Sequence, residues 1–199
     1  MKSQLADGCW ELLGEGSFKD ITMEAVADKC GLSHTEAVVH GGDVAHLVLI
    51  KIDELDSKAL LISADDFADD PSASVYDKIL EGLMMRFEML APYRAQFQAL
   101  HEEATRNPVL AGHCFHQLSH MVGKLLFLAG DETSGPVKQA RIIGICSLLL
   151  RIRSVWIADE TPDLGLTMKA LDKALKQACE WAISLRVLSK EDVASGHDG

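Results

Sequence analysis

Arginine is absent from the first 85 residues of this 199-residue chain, and basic side chains of any kind are scarce there. Six lysines stand against 17 Asp and Glu residues, so this segment has a net charge of −11, while residues 86–199 hold 13 bases and 13 acids. Affinity for duplex DNA comes largely from Lys and Arg side chains that displace counterions condensed on the phosphates. Any binding of DNA by the first 85 residues should therefore be weak and strongly salt-sensitive.

The chain also lacks a long apolar segment and closely spaced cysteines. Its longest apolar run, from Ile142 to Leu150, falls far short of the ~20 residues that cross a bilayer. Asp7 and Glu11 lie where a secretory signal would be basic and then apolar. The five cysteines are widely spread and never spaced as C-x-x-C, which favours buried thiols over disulfides or a zinc knuckle. We expect a cytoplasmic protein without a transmembrane segment.

Motifs of the common enzyme classes are missing as well. The chain has no nucleotide-binding loop, no G-x-S-x-G elbow and no H-E-x-x-H helix. Cys114 is flanked by His113 and His116, but adjacent positions on a helix face apart. We therefore expect no catalytic residues, no resident metal ion and no cofactor.

Helical periodicity is present along the whole chain and predicts an all-α fold. Thr22 and Ser33 are predicted N-caps, and Ser33 with Glu36 has the spacing of a capping box. The acidic stretch Ser63–Ser74 is predicted to be a solvated connection. The predicted helices run from about Ser3 to Leu13, Thr22 to Gly31, Ser33 to His40, Asp43 toward Leu61, Val75 to Leu90, Pro92 to Thr105, Val109 to Leu128, Ser134 to Leu150, and from Thr161 onward.

The last two predicted helices have distinct apolar patterns. The helix ending at Leu150 is apolar nearly all round, which predicts burial on several sides. The final helix, with Pro162 at its first position, carries an apolar stripe at three- and four-residue steps. The stripe fits either a four-helix dimer interface or an intramolecular core, and its residues are Leu164, Met168, Leu171, Leu175, Ala178 and Ala182.

The first 50 or so residues resemble the helix-turn-helix domain of TetR-family transcriptional regulators. The matching residues are Phe18, Thr22, Met23, Ala27, Gly31-Leu32-Ser33, His40 and Leu47. The resemblance implies a DNA-binding domain over residues 1–47 and a helical ligand-binding and dimerisation domain over residues 48–199. It also implies a homodimer that binds an operator and responds to an apolar small molecule or lipid. The implied DNA contacts are Thr22, Ser33, His34, Thr35, Val38, Val39 and His40.

The same segment departs from the family at positions that contact phosphates. The family usually has a tyrosine in the third helix and a lysine opening the fourth, where this chain has Val38 and Val44. Phosphate contacts set register and affinity. The third helix also has no arginine that could bind guanine in bidentate fashion. The resemblance thus implies a regulator with attenuated affinity for DNA.

A second resemblance lies near the end of the chain. Residues 156–164, continued by Thr167, Leu171 and Asp172, are similar to a signature of TetR-like lipid-binding accessory proteins of ubiquinone biosynthesis. This resemblance implies the alternative function of a DNA-independent lipid or isoprenoid carrier. The membrane-binding helix of those proteins has no counterpart after Leu188.

The middle helices contain the candidate ligand pocket implied by the TetR resemblance. Three histidines lie on one helix face, but the outer two are separated by about 10 Å of rise, too far to share one metal ion. They fit a metal site completed from another helix, a polar edge of an apolar pocket, or ordinary surface histidines. The Met and Phe residues fit either a pocket or plain core. The candidate pocket residues are Met84, Phe87, Phe97, His113, His116, His120 and Phe127.

Overall fold

The computed structural model describes the backbone of residues 1–184 and the side chains of residues 1–180. No strand occurs in this part of the chain, which confirms the all-α prediction. Short 3₁₀ turns occupy Phe18–Asp20 and Ala91–Tyr93. The α-helices are α1 (Lys2–Glu15), α2 (Met23–Cys30), α3 (His34–Gly41), α4 (Val44–Asp69), α5 (Val75–Leu90), α6 (Arg94–Ala104), α7 (Pro108–Leu128), α8 (Gly135–Ala158) and α9 (Gly165–Ser184).

The chain divides into two compact units. The first comprises Met1–Ser57 and Leu90–Gln117, and the second comprises Lys58–Met89 and the chain from Leu118 onward. Within residues 1–184, no helix is both long enough and apolar enough to span a membrane.

In the first unit, α1 is the central helix and packs against α2, α3 and α6. Leu5, Cys9 and Leu13 repeat every four residues along α1, and all three are buried. Trp10 on α1 makes an edge-to-face contact with Phe97 of α6, with ring centroids 5.5 Å apart. Besides the residues of the predicted N-terminal domain, this unit contains α6, which contributes to the same core. The domain boundary at residue 47 stays a prediction.

In the second unit, α8 and α9 pack against each other. The buried Trp156 of α8 contacts the Phe87 ring, and its indole N–H donates a hydrogen bond of 3.2 Å to the Phe87 carbonyl. Gly82 of α5 lies so close to α7 that an added Cβ would be 2.3 Å from Leu125 Cδ1. An alanine at position 82 would therefore force the Leu125 side chain to shift.

The acidic stretch predicted as a loop is largely helical. α4 continues to Asp69, and only residues 70–74 form the connection to α5. Ser63 and Phe67, one turn apart, are buried, and the Ser63 hydroxyl donates to the Ala59 carbonyl at 2.9 Å. The carboxylates of this segment lie mainly on the exposed side of α4. The prediction was wrong because the charges mark one face of a helix rather than a break in it.

The boundaries and burial predicted for the last two helices also need correction. α8 continues past Leu150 to Ala158, since Ile152 and Trp156 extend its buried side. It is not buried on several sides within the protomer, because Ile143 and Leu150 are each 52% exposed. α9 begins at Gly165 rather than at Thr161.

All five cysteines are free thiols. Cys9 and Cys146 are buried as predicted, whereas Cys30, Cys114 and Cys179 are only partly buried. Burial raises the pKa of Cys9 to about 12, with a smaller contribution from Cys30. A thiol with so high a pKa is a poor nucleophile at neutral pH.

Candidate nucleic-acid interface

Residues 22–41 form two short helices joined by a tight turn, and local hydrogen bonds hold each helix start. The Thr22 hydroxyl accepts a hydrogen bond of 3.2 Å from the Ala25 amide and caps α2. Gly31 ends α2 in the left-handed region, at φ 67°, which favours glycine. Ser33 then caps α3 through its bond with the Glu36 amide, and the Glu36 carboxylate accepts from the Ser33 amide at 2.9 Å. Both predicted N-caps and the capping box are confirmed.

One side of α3 is packed against the rest of the first unit. Ala37 and Gly41, one turn apart, are buried. A Cβ at Gly41 would lie 3.2 to 3.3 Å from Met23, Leu47 and Leu5 side-chain atoms. The small size of both residues therefore allows α3 to lie close to its neighbours.

The opposite side of α3 faces solvent. At 3.6 residues per turn, Thr35 and Val39 fall opposite Ala37 and Gly41. Thr35 is exposed, Val39 is 71% exposed and Val38 is 42% exposed. His34 and His40 are exposed as well. The α3 residues predicted to contact DNA are therefore all accessible to solvent, and we call this set of exposed residues the outward face of α3 (His34, Thr35, Val38, Val39 and His40).

Carboxylates lie at the helix starts of this unit. Glu24 is in the first turn of α2, and Glu36 is in the first turn of α3. The Asp43 carboxylate accepts a hydrogen bond of 2.7 Å from the His46 amide in the first turn of α4. Hydrogen bonds from the Ser33 hydroxyl and amide hold the pKa of Glu36 below its ordinary value. The N-termini of helices are favourable binding sites for phosphate groups. Here, however, carboxylates of the protein already lie beside them.

Two of the lysines in this unit are paired with acidic side chains of α1. Lys29 lies 3.3 Å from Glu11 and 3.2 Å from Glu15, and hydrogen bonds to Glu15 and then Glu11 raise its pKa. Lys51 pairs with Asp7 and with Glu54. Burial opposes the charge of Lys51, but these two carboxylates outweigh it and raise its pKa. These pairs were not predicted from the sequence, although acids at residues 7, 11 and 15 share one face of α1.

The candidate pocket residues divide between the two units and differ in exposure. Met84 and Phe87 are buried in the second unit, where Phe127 is 74% exposed and His120 is also exposed. In the first unit, Phe97 is half-buried against Trp10, and the remaining candidates, His113 and His116, are exposed. In residues 1–184, no group of three or more His, Cys, Asp or Glu side chains is arranged to hold a metal ion. The ligand pocket stays a prediction.

The apolar stripe predicted for the last helix serves the protomer's own core at Leu171 and Leu175 of α9 and at Leu164, which lies just before the helix begins. Leu164, Leu171 and Leu175 are buried within the chain. Met168 and Ala178 are exposed, and the side chain of Ala182 lies outside the described residues. The three buried leucines are therefore unavailable to a partner subunit in this conformation. The dimer interface stays a prediction.

The signature near the end of the chain forms the turn between α8 and α9. Asp159 is fully buried, and its carboxylate accepts four hydrogen bonds, two from Thr161 and two from Thr167. Burial opposes ionisation of Asp159, but these hydrogen bonds outweigh it and hold the pKa well below its ordinary value. Leu164 takes a positive φ of 51° in this turn. Farther along, Asp172 accepts a hydrogen bond of 3.0 Å from the Tyr76 hydroxyl.

Comparison with known proteins finds likeness at the level of structure alone. No family model matches the sequence, and no curated protein does. A TetR transcriptional regulator from Nitrosomonas europaea is 16% identical with a TM-score of 0.70, over 90% of this chain and 98% of the other. A TetR-family regulator from Streptomyces coelicolor is 16% identical with a TM-score of 0.61, over 98% of this chain and 94% of the other.

A third structure of the same kind is the TetR-family repressor AlkX from a Dietzia species, which is implicated in biodegradation of n-alkanes. It is 19% identical to this chain with a TM-score of 0.50, over 87% of this chain and 94% of its own. At these identities the likeness concerns architecture. The chain has the TetR-type all-helical fold, with the helix-turn-helix at its N-terminal end.

Proposed function

We propose that this protein is a TetR-type transcriptional regulator that binds DNA weakly as a homodimer and responds to an apolar small molecule. The observation that carries the proposal is the outward face of α3, which is exposed while Ala37 and Gly41 fix the other side of the helix. A short capped helix held in this way is suited to enter a major groove. The likeness to TetR-family structures supports the same function.

Dimerisation would proceed through the α8–α9 hairpin. Ile143, Leu150 and Val155 are exposed along α8, and Leu166 and Met168 are exposed on α9. Ile143 and Leu150 lie seven residues apart and therefore share one face of α8. Large apolar side chains exposed on one face are typical of protein contacts. The interface we propose therefore uses α8 more than the predicted α9 stripe, because three leucines of that stripe are already buried.

The proposed effector is an apolar small molecule or lipid. Met84 and Phe87 supply adaptable apolar surface inside the second unit. The relative from the Dietzia species is implicated in n-alkane biodegradation, which makes long-chain hydrocarbons a suitable first class of probes.

A DNA-independent carrier of a lipid or isoprenoid is the second candidate. It is favoured by the carboxylates that pair with Lys29 and Lys51, because these pairs reduce the positive charge available to phosphates. The similarity of residues 156–172 to the accessory proteins of ubiquinone biosynthesis points in the same direction. Within this signature, however, Asp159, Thr161 and Thr167 have a structural role, because their hydrogen bonds hold the turn between α8 and α9.

Selection of duplexes from a random DNA pool at low ionic strength would test the leading proposal. We expect enrichment of a palindrome whose half-sites are separated by one helical turn or a multiple of it. Fluorescence anisotropy measures binding of the enriched duplex, and the affinity should fall steeply as salt is added. Failure to enrich any sequence would refute the regulator proposal. Lipid recovered from the same protein by native mass spectrometry would then favour the carrier.

A further inference from the structure

The outward face of α3 lacks the side chains that usually identify bases. The sequence of α3 is HTEAVVHG, which contains no Arg, Lys, Asn or Gln. Arg and Lys are the common partners of guanine, and Asn and Gln are those of adenine. A helix of this composition has none of the usual bidentate contacts.

The one acidic residue of α3 is also engaged by its own helix. The Glu36 carboxylate accepts hydrogen bonds of 2.9 Å from the Ser33 amide and 2.6 Å from the Ser33 hydroxyl. A carboxylate held in this way closes the capping box and points to the helix start. It is therefore poorly placed to accept a hydrogen bond from the amino group of cytosine.

Methyl groups occupy the centre of the outward face instead. Thr35 and Val39 lie one turn apart on the side opposite the packed residues, with Val38 beside them. Apolar contact with the C5 methyl group is the recognised way of distinguishing thymine in the major groove. The imidazoles of His34 and His40 flank these methyl groups and can donate hydrogen bonds to phosphates.

We infer that the outward face of α3 recognises thymine-containing half-sites through their C5 methyl groups, with Val39 and Thr35 as the specificity-determining residues. The inference rests on the proposed function and names the feature of DNA that is read. Two valines and a threonine make too small an apolar patch for a stable protein interface. They match the few methyl groups that one short helix meets in a groove.

Replacement of thymine by deoxyuridine in the selected duplex tests this recognition directly. Deoxyuridine keeps the base pair and its O4 acceptor and removes only the methyl group. We expect each contacted methyl group to contribute about fourfold to affinity. Loss of one contacted methyl group in each of the two half-sites should therefore weaken binding roughly 15-fold. The measurement is anisotropy at constant low salt with thymine and uracil duplexes.

Two variants locate the effect on α3. In Val39→Ala the ratio between thymine and uracil affinities should fall toward one, because the two Cγ methyl groups of Val39 are removed and only that of Thr35 remains. Val109 on α7 is a comparably exposed valine, 66% exposed, and Val109→Ala should leave the ratio unchanged. Circular dichroism of both variants verifies that they are folded.

The outcomes separate this inference from the proposed function. Selective binding with equal affinity for thymine and uracil duplexes would overturn the inference and leave the regulator intact. A Val39→Ala variant that keeps the full thymine preference, or that changes only self-association, would also overturn it. Absence of selective binding to any duplex would overturn the regulator proposal first and the inference with it.

Discussion

A Val44→Lys substitution should restore one phosphate contact in each protomer. Val44 is the first residue of α4 and is partly exposed. It stands where the resemblance places a lysine that contacts phosphate in the TetR family. The neighbouring Asp43 carboxylate accepts a hydrogen bond from the His46 amide, and the long, flexible side chain of a lysine at position 44 can extend past it toward DNA.

The size of the effect follows from counterion release. Each added phosphate contact steepens the dependence of log K on log salt by about 0.9, so a dimer with two new lysines should steepen it by about 1.8. Over a fourfold rise in salt concentration, the variant should lose about 12-fold more affinity than the parent protein. Its affinity at low salt should be correspondingly higher.

The assay is anisotropy of a labelled duplex in a series of salt concentrations. Val109→Lys is the matched control, because Val109 is an exposed valine in the first turn of α7 and lies outside the helix-turn-helix. An unchanged slope for Val44→Lys would refute the placement of the start of α4 beside the phosphates. An equal steepening in both variants would mean that net charge matters and position does not.

Three further predictions concern stability. Leu171→Ala should lower the free energy of unfolding by about 3 kcal/mol, since the side chain is fully buried. Gly82→Ala should cost about 1–3 kcal/mol through overpacking against Leu125, whereas the helical Gly144, with nothing within 4 Å of its added Cβ, should tolerate alanine. Asp159→Asn should destabilise the protein at neutral pH, and the difference should narrow as pH falls below the ordinary pKa of 3.8.

Urea unfolding checks all three predictions, and the Asp159→Asn variant and its parent protein are compared across a pH series. The direction expected for Asp159 follows from its depressed pKa. The ionised carboxylate stabilises the folded state at pH values above the pKa of the unfolded state, and this contribution is lost as pH falls and the carboxylate becomes protonated. Equal stability of the Leu171→Ala variant and its parent would contradict the burial of the α9 stripe. A Gly144→Ala variant as unstable as Gly82→Ala would contradict the close approach at Leu125. A pH-independent difference would contradict the account of Asp159.

The start of α3 was predictable because its determinants are close in sequence. Ser33 and Glu36 are three residues apart, and their reciprocal hydrogen bonds need no other part of the chain. The same holds for the Thr22 cap on α2. The exposure of Val39 agrees with the helical period, since this residue lies opposite the buried Ala37.

The continuation of α4 was not predictable from local composition. Asp65, Asp66 and Asp69 are typical of a loop, and the burial of Ser63 and Phe67 shows that the segment has an inner side. That burial depends on residues distant in the chain. In this segment the local charge indicates a loop, whereas the spacing of Ser63 and Phe67 agrees with the helix that tertiary packing stabilises.

The electrostatic character of the candidate site was predictable in sign and not in detail. Net charge gave weak attraction for phosphate, but the pairing of Lys29 with Glu11 and Glu15 joins α2 to α1 across 18 and 14 residues. Lys51 pairs with Asp7 across 44 residues. Such contacts depend on helix packing, which composition alone does not specify.

The turn between α8 and α9 has a consequence for sorting proteins by short sequence patterns. There the Asp159 carboxylate accepts hydrogen bonds from Thr161 and Thr167, and these bonds hold the reversal of the chain. A short sequence pattern that encodes such a hairpin will recur in proteins that need the hairpin, whatever ligand or promoter those proteins bind. Proteins grouped by that pattern share an architecture, and the solvent-exposed residues of α3 are the better guide to what each protein does.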